Sequence, residues 1–475
     1  MKINLLLLVF TLSSQSLSSQ NTVQWGDSIV VATTSLPITS PHLALLKDGT
    51  PLVMWGTSAN PSRIWCARFE NGAFSNPVDV LQGLYSPSLF GFGGYDVAVS
   101  DSQVFIVFEQ IQEGIFLTRS DDGGLTFALP TLVQGSIPGG YATLASVEVD
   151  GTGNPLVSYI REKNGATYEI RRSIDGGFTF QDPVTANTPV PGGAVCECCT
   201  SDLLASGDSV WLLFRNNNLD LRDIWVSRST DLATTFDTAA DVDATDWNLN
   251  FCPIAGPRMG RSGDSLLTVW MSRASGVNRV YISTLHAGTM QTGQQIEFPA
   301  TVPQTAQSLP DVAALGDTVG VVFLEKSKEI VFHFSTNGVA GMVNQSTRFA
   351  VPNHTLQYPS LAYRNGVFHL AYTDESTDKV MYRQGTLTQN SATSEPWNTQ
   401  ISVFPNPVTG DAFWVKSETF ELEEVSIFTI FGEKAWEQKT TGNELRLTTG
   451  LLKSGLYILK IKTNAGEFVQ KVMLW

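Results

Sequence analysis

Histidine and cysteine are scarce in this chain, with five of each in 475 residues. The histidines, His42, His286, His333, His354 and His369, are widely separated and form no H-E-x-x-H run, so each reads as packed or solvent-facing. No G-x-S-x-G elbow, phosphate-binding loop or dinucleotide fingerprint occurs, and no cofactor or metal is expected from any such signature. DDGG and IDGG hint at calcium, but the EF-hand spacing is missing. Beyond the first twenty residues no stretch approaches eighteen apolar residues, so no membrane-spanning helix is expected. Basic residues are few, 30 against 45 acidic, for a formal charge of −15. A chain this acidic is poorly suited to nucleic acid or an anionic membrane as a partner.

What the chain does have is glycine and aromatics, 40 Gly, 26 Phe and 11 Trp, which favours many short strands joined by tight turns. Residues 1–20 carry Lys2, an apolar run from Leu5 to Leu12 and a Ser-rich tail, the shape of a signal peptide to be removed on export. Further along the chain, one turn recurs. SDDGGLTF begins at Ser120, SIDGGFTF at Ser173 and STDLATTF at Ser229, sharing Ser, Asp at the third place, Thr at the seventh and Phe at the eighth. Alternating apolar strands keep the same rhythm, ending at Trp55, Phe108, Tyr159, Phe214, Trp270, Phe323 and Tyr372. Short apolar strands precede them, such as HLAL from His42, YDVAV from Tyr95, PDVAA from Pro310 and PSLAY from Pro359, and a further alternating strand follows each. A period near fifty residues with two-residue alternation predicts an all-β propeller over residues 21–390. Seven blades is the preferred count and six the competing one, with DSIVVATT from Asp27 offered as a closing strand.

The three turns resemble the Asp-box (BNR) repeats of the sialidase superfamily, where S-x-D-x-G-x-T-[FW] occupies the hairpin between the third and fourth strands of a blade, away from the substrate site. That resemblance implies a glycan-directed hydrolase using an arginine triad, a tyrosine nucleophile paired with Glu and an Asp acid/base. No R-I-P segment, the usual seat of the first arginine, occurs near the start of the propeller; Arg63-Ile64 lacks the following Pro. Tyr95 and Tyr141, each just after Gly-Gly, are inner-strand tyrosines without an assigned role.

After a polar connector, residues 391–400, the chain changes character. FPNP at Phe404–Pro407, the turn at Phe431-Gly432, SGLYILKI at Ser454–Ile461, Gly466 and Lys471-Val472 make residues 401–475 resemble the C-terminal sorting domain of the type IX secretion system. The resemblance implies handling by that machinery and a secreted or outer-membrane cell-surface location. On the residues alone, the alternation and Gly turns predict a small antiparallel sandwich.

Cys196-Glu197-Cys198-Cys199 opens the fourth repeat, Cys252 the fifth, and Cys66 lies in the first. In an exported chain a disulfide from one of the first three to Cys252 is expected to staple neighbouring blades; thiolate metal binding and free thiols are the alternatives.

Polar residues flanking the aromatic-ended strands converge on a propeller's axis, and this picks out Asp96, Glu109, Arg161, Asp202, Arg215, Arg258, Glu325 and Asp374. Of these, Glu109, Arg161, Arg215, Glu325 and Asp374 are the proposed catalytic set: cations to hold a carboxylated sugar and paired carboxylates for acid and base work. The resulting expectation is a secreted or surface glycoside hydrolase of sialidase-like type, with a non-catalytic glycan- or protein-binding propeller as the alternative and a surface assembly role third.

Overall fold

A computed structural model describes residues 21–91, 93–388, 401–429, 432–450, 452–464 and 466–475. The signal-peptide expectation for residues 1–20, the connector 391–400 and Phe431 of the sorting motif lie outside these residues. The described chain is all-β, without a helix. Residues Asn21–Thr388 form one compact unit, and the C-terminal residues belong to another.

The first unit is a propeller of seven antiparallel sheets. Blades 1 to 7 begin with the inner strands Ile38–Leu45, Tyr95–Ser100, Tyr141–Val149, Asp202–Ser206, Arg258–Ser262, Gln307–Leu315 and Leu356–Arg364. Each inner strand touches the next, and the seventh touches the first, so the ring closes. The second strands are its apolar filling: Pro51–Thr57 is buried at every residue, and Val104–Phe108 and Val210–Phe214 are buried throughout. Leu52, Ile64 and Cys66 of blade 1 pack with Val104, Ile106 and Phe108 of blade 2 in one cluster, so cores lie between blades.

Blade 7 borrows from the other end of the propeller. Its last strand, Lys379–Thr388, pairs with both Thr22–Trp25 and Ile29–Thr33. Trp25 sets its ring edge-on to Phe332 and Phe349 of blade 6, each at 5.0 Å, which fixes the closing strand against the neighbouring blade.

The three recurring turns share one hydrogen-bond network between the third and fourth strands of blades 2, 3 and 4. In blade 3, Asp175 Oδ1 accepts from Ser173 Oγ and from the N–H groups of Phe178 and Thr179, and its Oδ2 accepts from Thr179 Oγ1 at 2.6 Å. Asp122 and Asp231 repeat these contacts. Gly176 and Gly177 sit at φ 75 and 91°, and in blade 4 the matching Leu232 and Ala233 hold φ 58 and 63°. The network imposes a left-handed backbone even where glycine is absent.

The C-terminal unit is a sandwich of a three-stranded and a four-stranded sheet around Phe413, Val425, Leu459 and Val472. Asn406 of the FPNP segment donates to the carbonyl of Lys471 and accepts the N–H of Met473, tying the motif to the final strand.

Candidate functional site

In every blade the inner-strand residue paired with the position just before the terminal aromatic of the second strand points at the same level of the ring. These residues are His42, Asp96, Ser146, Asp202, Arg258, Asp311 and Ser360, opposite Met54, Val107, Ser158, Leu213, Val269, Val322 and Ala371. Side chains at this level reach the next blade. Asp96, Asp202 and Asp311 accept the N–H groups of Val147, Met259 and Leu361 at 3.0, 2.6 and 2.7 Å, and Ser360 Oγ accepts that of Leu43. Ser146 completes the pattern by donating to Ser201.

Six of the seven, all but Ser146, line a cavity of about 190 Å³, with Thr200, Gly256 and Tyr358 among its other walls. Three acids here share one cation, Arg258, whose Nη1 lies 4.0 Å from Asp202. Burial pushes the Asp202 carboxyl up to about 7; Arg258 opposes this, and Asp96 and Asp311 reinforce it. Burial likewise raises Asp96 and Asp311. Burial and then the charge of Arg258 push His42 down to about 3, so its ring is neutral at physiological pH. Its Nδ1 is 3.5 Å from Asp96, and its buried Nε2 has no hydrogen-bond partner among the described residues.

The proposed catalytic set lies at the ends of second strands, hence at the same end of the blades as the inner-strand starts, but on five different blades. None of the five lines the axial cavity. Glu109 accepts from Thr143 at 2.6 Å, and burial raises its carboxyl. Arg161 is 3.5 Å from Glu169. Arg215 is fully buried and donates to the carbonyls of Ala255, Arg222 and Met271. Glu325 meets Arg348 at 2.6 Å and Thr301, and Asp374 meets His354 at 2.7 Å. Burial alone would raise Glu325, but the Thr301 hydrogen bonds and Arg348 hold it below its ordinary value.

Of the axial residues, Asp96, Asp202 and Arg258 are among the sequence candidates, whereas His42, Asp311 and Ser360 are not. Aligning the seven inner strands on their aromatic partners would have found them, since PDVAA and PSLAY place Asp311 and Ser360 at the same step as Asp96 in YDVAV.

At the same end of blades 3 and 4 a more open groove of about 660 Å³ is bounded by Tyr141, Glu162, Asn164, Gly192, Glu197 and Asn217. Partial burial raises the Tyr141 phenol, helped by Glu162, Glu197 and Glu109. Between groove and cavity runs the cysteine segment. Cys198 and Cys252 form a disulfide linking the approaches to the inner strands of blades 4 and 5. Cys196 and Cys199 are free and buried beside it, and Cys66 is free and buried in blade 1.

Residues 402–474 match the family described as secretion system C-terminal sorting domain. The chain is therefore an exported propeller, bound through its C-terminal domain for the type IX system and for secretion or the cell surface. No curated protein matches the sequence. Among solved structures, a polysaccharide lyase is similar at 10% identity and TM-score 0.49 over 79% of this chain and 94% of that one. An α-L-arabinofuranosidase from Fusarium graminearum is similar at 13% and 0.42 over 77% and 97%. A leech intramolecular trans-sialidase is similar at 13% and 0.39 over 77% and 70%.

Proposed function

We propose that the chain is an exported glycoside hydrolase that receives a glycan at the end of the propeller where the inner strands begin. Its groove beside Tyr141 holds the glycan chain, and the axial cavity holds the residue to be cleaved. The observation that carries this reading is Asp202, a carboxyl that keeps its proton to about pH 7 in a cavity with two further acids. A protonated carboxyl donates to a glycosidic oxygen while a neighbouring carboxylate supports water attack or the developing cation. The unpartnered His42 Nε2 is a ready contact for a sugar hydroxyl.

The charge balance sharpens the substrate class. With Asp202 holding its proton, Asp96 and Asp311 still outnumber the one cation, Arg258, and disfavour a carboxylated sugar, so the sialidase-like frame is assigned here to a neutral glycan. A second reading, a glycan-binding module without turnover, is favoured by the interblade hydrogen bonds that Asp96, Asp202 and Asp311 already make.

A hydrolysis screen on neutral and sialylated glycans, run beside a binding array, separates them. Turnover of a neutral glycan that falls about 100-fold or more in Asp202→Asn, with binding retained, is expected. Binding without turnover gives the module reading, turnover confined to sialylated glycans overturns the charge assignment, and neither binding nor turnover removes the glycan reading. Arg161→Ala and Glu325→Gln in the same screen test the strand-end set.

A further inference from the structure

We propose that Cys196, Cys198, Cys199 and Cys252 are the donors of a tetrathiolate centre for a divalent thiophilic cation of the zinc class, clamping blade 4 to blade 5 at the rim of the axial cavity. The sulfurs arrive from two chain segments, yet all four lie within 4.8 Å of one another. Cys196 Sγ is 3.2 Å from Cys199 Sγ and 3.6 Å from Cys198 Sγ. A tetrahedral site with metal–sulfur bonds of about 2.3 Å has sulfur–sulfur edges of about 3.8 Å, so modest side-chain shifts suffice.

Charge distinguishes this centre from a pair of disulfides. Two buried arginines border the cluster: Arg215 is fully buried and Arg222 is 3% exposed. Arg222 Nη1 donates to Cys196 Sγ at 3.0 Å, its Nε donates to the carbonyl of Leu249, and Arg215 spends its donors on carbonyls. Neither is ion-paired with a carboxylate among the described residues. Asp243, whose carboxyl burial raises and Arg215 lowers, makes no ion pair with Arg215 among the described residues. Buried cations need a counter-charge. Neutral disulfides offer none, whereas four thiolates around a divalent cation carry a net charge of −2, equal and opposite to the two guanidinium groups.

Binding moves protons and no electrons: four thiols give up four protons as four metal–sulfur bonds form. The Cys198–Cys252 disulfide is the metal-free oxidised form of the same cluster; an external dithiol, itself oxidised to a disulfide, supplies the two electrons and two protons that free both sulfurs, and the cation belongs to the chain with all four sulfurs reduced. Soft thiolate donors select zinc, copper(I) or iron–sulfur groups, and the two arginines favour a divalent ion over copper(I). The centre is structural: Cys199 stands three residues before Asp202 and Cys252 six before Arg258, so it sets the spacing of two axial side chains.

The test uses the full chain, purified anaerobically with its thiols reduced and loaded with zinc alone, then with cobalt(II) as a spectroscopic substitute. One tightly held zinc per chain, and cobalt charge-transfer and ligand-field bands of a four-sulfur tetrahedron, are expected. Both should be lost in Cys196→Ser and Cys199→Ser and kept in Cys66→Ser, which reports on folding after removal of a buried thiol elsewhere. Arg222→Met should weaken zinc binding about 10- to 100-fold, as loss of a partner of a ligating sulfur does. Failure to retain zinc, equal retention in the Cys196 and Cys199 variants, preference for copper(I), undiminished affinity in Arg222→Met, or exported protein carrying two disulfides and no metal would each overturn the proposal.

Discussion

Asp202 and Arg258 meet across the junction of blades 4 and 5, with Oδ1 and Nη1 4.0 Å apart, and Asp202 grips the same neighbour again by accepting the N–H of Met259 at 2.6 Å. One carboxyl thus serves both as an interblade staple and as an axial acid whose carboxyl is pushed up to about 7. Burial is what displaces it, and Arg258 only partly offsets that.

This gives the propeller a pH signature. The folded chain holds the Asp202 proton up to about pH 7, while the unfolded chain releases it near 3.8. Between those values the native state binds more protons, so unfolding free energy falls as pH rises. Asp202→Asn is expected to flatten this slope in denaturant melts taken from pH 4 to 7.

Gly256, two residues before Arg258, leaves no room for a side chain. A Cβ there would strike Thr200 Oγ1 and come within 2.5 Å of the Thr200 carbonyl oxygen. Gly256→Ala should cost about 1–3 kcal/mol, the usual range for overpacking, and should weaken glycan binding by prising apart the segments that carry Asp202 and Arg258. Thermal melts and the binding array read the two effects separately.

The recurring turns act at the opposite end of the pH scale. Hydrogen bonds from the Thr179 hydroxyl and N–H, and from Ser173, hold Asp175 down to about 2; Asp122 and Asp231 are lowered in the same way, against opposition from burial. A depressed carboxyl stabilises the fold above its unfolded value of 3.8, and the contribution is lost as pH falls towards 2. Asp175→Asn should therefore lower stability at neutral pH and shrink the further loss seen in acid unfolding below pH 4.

Closure of the ring rests on Trp25. Trp25→Ala removes the ring wedged against Phe332 and Phe349 and is expected to cost about 2–3 kcal/mol, less than a fully buried Trp would because Trp25 is half-buried. If the melting temperature does not move, the N-terminal strand contributes little to closure.

The aromatic ends of the second strands made the blades legible in sequence, because a repeated core position must be apolar and bulky in every copy. They also carried the axial ring, since each axial residue pairs one step from an aromatic, but the types there differ, His, Asp, Ser and Arg, and only alignment by position unites them. Glu325 shows what periodicity does not encode. Its partner Arg348 comes from the fourth strand of the same blade, and that local contact helps decide what the carboxylate does. The cysteines were legible as a staple, with its exact pairing and the buried arginines around it set by tertiary packing.

The pairing of Lys379–Thr388 with the strands from Thr22 and Ile29 has a consequence for timing. Blade 7 cannot be finished until residues more than 350 apart in the chain have both emerged and met. The ring therefore stays an open arc of blades until Lys379–Thr388 is available, and in sequence that strand precedes the sorting domain of residues 402–474.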